Sequence, residues 1–159
     1  MTEYYAMPSF VTLEVEEVAE AARWYGEALG FESIFEIPSS DDELTLVHLR
    51  RERYQDLLLV PASPKTSAEP GRPGKGATIN FSVDEDIDEL ARLAATAGAR
   101  LVSGPADRTW NVREVTVEDP EGYRLAFSRA LDTSKEFSET MEQVRQDSEV
   151  DSAGDQRGH

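Results

Sequence analysis

Residues 110–127 read Trp110-Asn-Val-Arg-Glu-Val-Thr-Val-Glu-Asp119-Pro-Glu-Gly122-Tyr-Arg-Leu-Ala-Phe127. Two alternating runs flank a turn. Val115 and Val117 oppose Glu114 and Thr116, and Leu125 and Phe127 oppose Arg124, Ala126 and Ser128. Asp119-Pro120-Glu121-Gly122 is turn chemistry. The stretch therefore predicts an antiparallel hairpin with one apolar face. Working outward, Arg100–Ser103 reads as another strand. Ile87, Leu90, Ala91 and Ala94 form a helical stripe, with Asp86 and Glu89 as a capping pair and Gly98 as the stop. Ala77–Val83 alternates as a strand. The order is strand, helix, three strands.

The preceding half has the same order. Residues 9–15 alternate. Val18, Ala22, Tyr25 and Leu29 share a helical face that ends at Gly30. Strand-like runs follow at Phe31–Ile37, Leu44–Arg50 and Asp56–Val60. A shift of 68 positions carries Val15 to Val83, Gly30 to Gly98, Phe10 to Thr78 and Leu58 to Ala126. This points to an internal duplication. The predicted layout is module one over 8–61, a linker over 62–76 and module two over 77–131. The linker region, with Pro61, Pro64, Pro70 and Pro73 among glycines, is expected to hold no regular element. Its Gly74-Lys75 pair lacks the residues of a phosphate loop. Over 132–148 a terminal helix is expected, capped by Thr133 and Glu136, with Phe137, Met141 and Val144 on one side, lying on the body or on a second subunit. The tail 149–159 reads as disordered.

Composition bounds the chemistry. The chain of 159 residues has no cysteine, two histidines (His48 and His159) and a net charge of −16. Thiolate chemistry and a His-rich metal site within one chain are excluded. The acidic surface repels phosphate backbones and anionic lipid, so neither nucleic acid nor membrane is an expected partner, whereas cationic ligands are attracted. No run is long and apolar enough to span a bilayer, and the expected location is cytoplasmic. No Gly-x-Ser-x-Gly elbow supports Ser-His-Asp catalysis.

The alternation also sorts residues by face. Val11, Leu13, Val15, Ile79, Phe81 and Val83 belong with the helices. Phe10, Thr12, Glu14, His48, Thr78, Asn80, Glu114, Thr116 and Ala126 fall on the other side, a mixed and polar face. It either meets water or, if the sheets curl, lines a crevice for a ligand.

The 110–127 run, with Val11-Thr-Leu-Glu-Val15, Ala22-Arg-Trp-Tyr25 and Leu29-Gly30-Phe31, resembles the vicinal-oxygen-chelate superfamily of glyoxalases, extradiol dioxygenases and bleomycin resistance proteins. The likeness spans roughly residues 9–130. Trp110-x-x-Arg113-Glu114 before Asp119-Pro-x-Gly122 is most similar to the bleomycin-resistance branch. The implied fold is α+β, with two βαβββ modules forming curled mixed sheets around a ligand crevice, plus the C-terminal helix. The resemblance places the family's metal ligands at Phe10, Thr78, Ala126 and Leu58, with Asp56 in place of Leu58 if the hairpin lengths differ. Phe, Ala and Leu offer no donor and Thr a poor one. The expectation is thus no metal, no cofactor and no catalytic residue. His48 with Glu14 and Glu114 is the remaining, unusual metal alternative. By resemblance Trp110 stacks on a planar ligand and the chain forms a homodimer. The expected function is sequestration of a planar, cationic natural product or antibiotic. The alternatives are a metal-dependent lyase, isomerase or dioxygenase, and a non-catalytic interaction module.

Overall fold

The computed structural model describes residues 5–155. Module one comprises β1 (Val11–Val15), α1 (Val18–Leu29), β2 (Glu32–Pro38), β3 (Leu44–Arg50) and β4 (Asp56–Pro61). A short helix, α2 (Pro64–Ala68), lies in the linker. Module two comprises β5 (Ile79–Ser82), α3 (Ile87–Thr96), β6 (Arg100–Arg108), β7 (Val112–Glu118) and β8 (Arg124–Ala130), and α4 (Phe137–Asp155) ends the described chain. The 68-residue shift carries the first residue of β1, β2, β3 and β4 onto that of β5, β6, β7 and β8.

Each module builds its own four-stranded sheet, in the orders β1-β4-β3-β2 and β5-β8-β7-β6. The first and last strands of each module run parallel and the other pairs antiparallel, giving the predicted α+β arrangement of mixed sheets. The alternation predicted the inward set except at Val11, which opens β1 and is 36% exposed because it lies at the strand's outer end, beyond the helices' cover. Leu13, Val15, Val47, Leu49, Leu57, Leu59, Phe81, Val115, Val117, Leu125 and Phe127 are buried in one core with residues of α1 and α3. A single core therefore consumes the helix-bearing faces of both sheets and leaves their other faces outside it.

The seam between modules is aromatic and hydrogen-bonded. Tyr25 meets Phe31 edge-on, Phe31 meets Phe81 at 5.8 Å, and Phe81 stacks on Phe127 at 5.3 Å. The Tyr25 hydroxyl donates to Asp119 Oδ2 (2.6 Å), Trp24 Nε1 to the Ala97 carbonyl (3.1 Å), and the Tyr123 hydroxyl to the Glu14 carbonyl (2.7 Å). Asp119 Oδ1 accepts the backbone N–H groups of Glu121 and Tyr123, closing the turn. The turn that decides the fold in sequence also locks the two modules together.

Three local features differ from the sequence reading. The linker contains a helix because Ser63 accepts from the Thr66 N–H as N-cap and Pro64 occupies the first turn, where no N–H is needed. β6 continues past Ser103 because Gly104-Pro105 forms a bulge in an edge strand rather than a stop. A Cβ at Gly104 would lie 2.3 Å from the Glu114 carbonyl oxygen, so only glycine fits there. The C-terminal helix starts at Phe137 without the Thr133–Glu136 box; Asp132 instead accepts from Ser134, and Glu139 caps the Glu136 N–H. It runs to Asp155, past the boundary at 148, supported by pairs such as Glu142–Arg145 and Gln143–Asp147. It packs extensively on no other element; Thr140 is buried, but Phe137 stays 79% exposed, so of the two expected seats for its apolar stripe, the body or a second subunit, the first is not taken up by Phe137.

Burial pushes the Asp119 carboxyl above its ordinary range, against the hydrogen bonds it accepts from Tyr25, Tyr123 and Glu121. Tyr25→Phe removes one partner from a buried carboxylate and should cost about 1–3 kcal/mol in urea unfolding at neutral pH. The native state holds the Asp119 proton more tightly than the unfolded chain does. Relative to Asp119→Asn, the wild type should therefore gain stability as pH falls from above the raised value into the ordinary carboxylate range. A constant difference across that window, followed by urea midpoint, contradicts this account.

Candidate functional site

The ladder registers set the predicted site residues in two rows. On sheet one Thr12 lies beside Leu58, Leu58 beside His48, and His48 beside Phe35. On sheet two Asn80 lies beside Ala126, Ala126 beside Thr116, and Thr116 beside Ser103. Thr12–Leu58 and Asn80–Ala126 are equivalent under the 68-residue shift. The rows belong to separate sheets, so one chain does not merge them into a single row. Phe10 and Thr78 precede β1 and β5, and both are exposed.

The face of sheet one is less polar than predicted. Phe35 and Ile37 are 57% and 42% exposed, and they pair with His48 and Leu46, residues of the face opposite the core. With Phe10, Leu46 and Leu58 they make an apolar floor. The sequence reading missed Phe35 and Ile37 because a register shift between Ser33 and Phe35 breaks the alternation of β2. The face of sheet two keeps the predicted polar character, with Asn80, Ser82, Thr116, Glu114 and Ser128.

A polar cluster interrupts the apolar floor. Asp56 begins β4 and its side chain is fully buried. Its Oδ1 accepts from His48 Nε2 (2.7 Å) and Arg50 Nε (3.0 Å), and its Oδ2 from the Tyr5 hydroxyl (2.8 Å). The Arg50 guanidinium lies 3.3 Å from the centroid of the Tyr5 ring, a cation–π contact. Burial raises the Asp56 carboxyl, but the bonds from Tyr5, His48 and Arg50 outweigh it and hold the group below its usual range. Tyr5, from the segment preceding β1, is the partner that strand patterning could not reveal.

Trp110 sits in the hairpin loop between β6 and β7, 44% exposed. Asn111 closes that loop with φ 67°, as three-residue hairpin loops require. Its side chain donates to the Asp132 carbonyl and accepts from the Asp132 N–H, pinning the loop to the chain after β8. Glu14 is drawn toward the linker: it accepts from the Ser63 N–H (3.0 Å) and the Thr66 hydroxyl (3.0 Å), which lower its carboxyl. It lines a cleft of about 740 Å³ with Arg72, Lys75 and Tyr123, away from the other predicted residues. Glu114 lies 3.7 Å from Arg108 on sheet two.

Residues 8–127 match the Glyoxalase/Bleomycin resistance protein/Dioxygenase superfamily. The chain belongs to this superfamily. Solved structures with a similar fold include TioX from Micromonospora sp. ML1 (21% identity, TM-score 0.63, covering 77% of this chain and 97% of that one). TnmS3, an antibiotic binding protein from Streptomyces sp. CB03234, is 18% identical with TM-score 0.60, covering 82% and 98%. A glyoxalase/bleomycin resistance protein/dioxygenase family enzyme from Burkholderia phytofirmans PsJN is 21% identical with TM-score 0.64, covering 79% and 100%. No curated protein matches the sequence significantly.

Many members of the superfamily hold a divalent ion, and the residues here do not fit one. Leu58 and Ala126 occupy equivalent register positions in the two sheets without a donor atom, Phe10 has none, and Thr78 offers only a hydroxyl. Asp56 is buried and already accepts from three donors. The alternative set of His48, Glu14 and Glu114 is split among Asp56, the linker and the second sheet. Among the described residues no group of three or more His, Asp or Glu side chains gathers to hold a metal.

Because its folded value is lowered, Asp56 contributes stability that is fully present above the ordinary aspartate range. That contribution is lost as pH falls through the lower folded value. Tyr5→Phe removes one of the three donors. It should cost about 1.5–3 kcal/mol at pH 7 and move the Asp56-linked loss of stability to higher pH, as urea midpoints across the acid range would record. An unchanged acid limb would show that Tyr5 does not hold this carboxylate.

Proposed function

We propose that the protein binds and sequesters a small, planar, cationic natural product without chemical turnover. The observation that carries this reading is the open face of sheet one, where Phe35, Ile37 and Leu58 leave an apolar floor; of the positions the resemblance assigns to the family's metal ligands, Phe10, Leu58 and Ala126 hold hydrocarbon and Thr78 a hydroxyl. An apolar floor with few polar groups suits binding of a flat organic molecule. Trp110 supplies a stacking surface at the hairpin tip, and the net charge of −16 attracts a cation. The similarity of fold to TnmS3, an antibiotic binding protein, supports the same reading.

The full ligand set in this proposal is Trp110, Phe10, Thr12, Glu14, His48, Leu58, Thr78, Asn80, Glu114, Thr116 and Ala126. Thr12, Leu58 and His48 lie on sheet one and Asn80, Glu114, Thr116 and Ala126 on sheet two, while Phe10, Thr78 and Trp110 flank the strands and Glu14 is turned to the linker; the proposed crevice is completed in a homodimer that sets the sheet-one face of one subunit against the sheet-two face of its partner. The proposed location of this binding is the cytoplasm.

Titration with planar cationic glycopeptide antibiotics, followed by tryptophan fluorescence, tests the proposal. Saturable quenching should vanish in Trp110→Phe, which keeps Trp24 as the internal reference. Trp110→Ala should weaken binding by about 0.5–1.5 kcal/mol, and affinity should fall with rising salt. Chelator treatment should leave the affinity unchanged. A stoichiometric divalent ion that survives dialysis and is needed for binding would overturn the reading in favour of metal-dependent turnover.

A further inference from the structure

The hydrogen bonds around Asp56 specify more than a buried ion pair. A carboxylate only accepts, and Asp56 is held ionised by its three donors. The nitrogen of His48 that lies 2.7 Å from Asp56 Oδ1 must therefore carry the ring proton. In the neutral ring the other nitrogen, Nδ1, is then a bare acceptor. Nδ1 is left without a bond to any described residue, and the His48 side chain keeps 12% of its surface exposed. The ladder places that surface between Phe35 and Leu58.

We propose that His48 Nδ1 is a specificity-determining acceptor that selects planar aromatic ligands carrying a hydroxyl donor, with Asp56 as its positioning residue. This rests on the reading of the open face as a small-molecule site and narrows the ligand class. The flat body of the ligand lies on Phe35 and Leu58, and its phenolic O–H points at the imidazole. An aromatic of the same shape without a donor makes the apolar contact but leaves Nδ1 unpaired and desolvated, which is the asymmetry that yields discrimination. Tyr5 and Arg50 complete the arrangement: by holding both oxygens of Asp56 they stop it from rotating away and freeing the ring to change tautomer.

The test compares 2-naphthol with 2-methoxynaphthalene, a pair that differs in the donor. The protein has only two histidines, so nitrogen NMR of ¹⁵N-labelled full-length chain resolves His48 with His159 as an internal reference. The free protein should show His48 in the Nε2–H tautomer. 2-Naphthol should bind about five- to tenfold more tightly than its methyl ether and move the Nδ1 resonance, which the ether should leave in place. His48→Phe should abolish the preference while retaining binding of the ether. Asp56→Asn, which can donate as well as accept, should let both tautomers populate. Equal affinity of the two probes with an unmoved Nδ1 resonance overturns the role of His48 and leaves the binding face standing. Failure of both probes to bind at millimolar concentration overturns the assignment of the face as well.

Discussion

The buried bond between the Tyr25 hydroxyl and Asp119 is the contact on which the arrangement depends. It joins the first helix of one module to the last turn of the other, inside a core that both modules share. Neither module could bury its helix face as well alone: Phe31 and Phe81 complete each other's packing across the seam. Because the helix-bearing faces are used up in that contact, the opposite faces of both sheets remain for other purposes. The location of the candidate site is thus a consequence of how the duplication is stitched, before any ligand-binding residue is considered.

Much of this was legible in the sequence, for physical reasons. A strand with one buried face must alternate, so the hairpin at 110–127 and the strand at 44–50 announced both their existence and their inward residues, while the run at 56–60, continuously apolar after Asp56, announced a strand without sorting its faces. The duplication was legible because both copies keep the glycine that follows the helix, Gly30 and Gly98, each at positive φ. What hid the rest was local irregularity. Bulges in the edge strands β2 and β6 scrambled the alternation, concealing the exposed Phe35 and Ile37 and the continuation of β6 through Gly104-Pro105. The short α2 was masked by the density of prolines, although Ser63-Pro64 is a helix start in its own right.

The Asp56 cluster was beyond sequence reasoning because it depends on a partner far away in the chain. His48, Arg50 and Asp56 could be brought near one another by a tight hairpin, but nothing in their spacing calls for Tyr5. The shift by 68 sets the cluster against its counterpart in module two. It carries Asp56 onto Arg124, which pairs with Glu118 in module two. The same ladder position therefore holds a buried carboxylate in one copy and a half-exposed guanidinium in the other.

That divergence bears on how two sheets of common origin could act together. The row Thr12–Leu58–His48–Phe35 sets two apolar side chains beside a hydroxyl and an imidazole, whereas the row Asn80–Ala126–Thr116–Ser103 is a line of amide and hydroxyl groups around a methyl. Ala126, at the middle of the sheet-two row, is buried at 3% exposure, whereas Phe35 on the sheet-one row is 57% exposed. A flat molecule between two such walls would rest its apolar side on one and satisfy its polar edge on the other. Two identical walls could not do both. Leu58 and Ala126 stand at equivalent ladder positions and offer no donor atom, so the middle of both rows is hydrocarbon. On the proposed reading, recognition would rest on shape, stacking and the few hydrogen-bonding groups held in fixed directions.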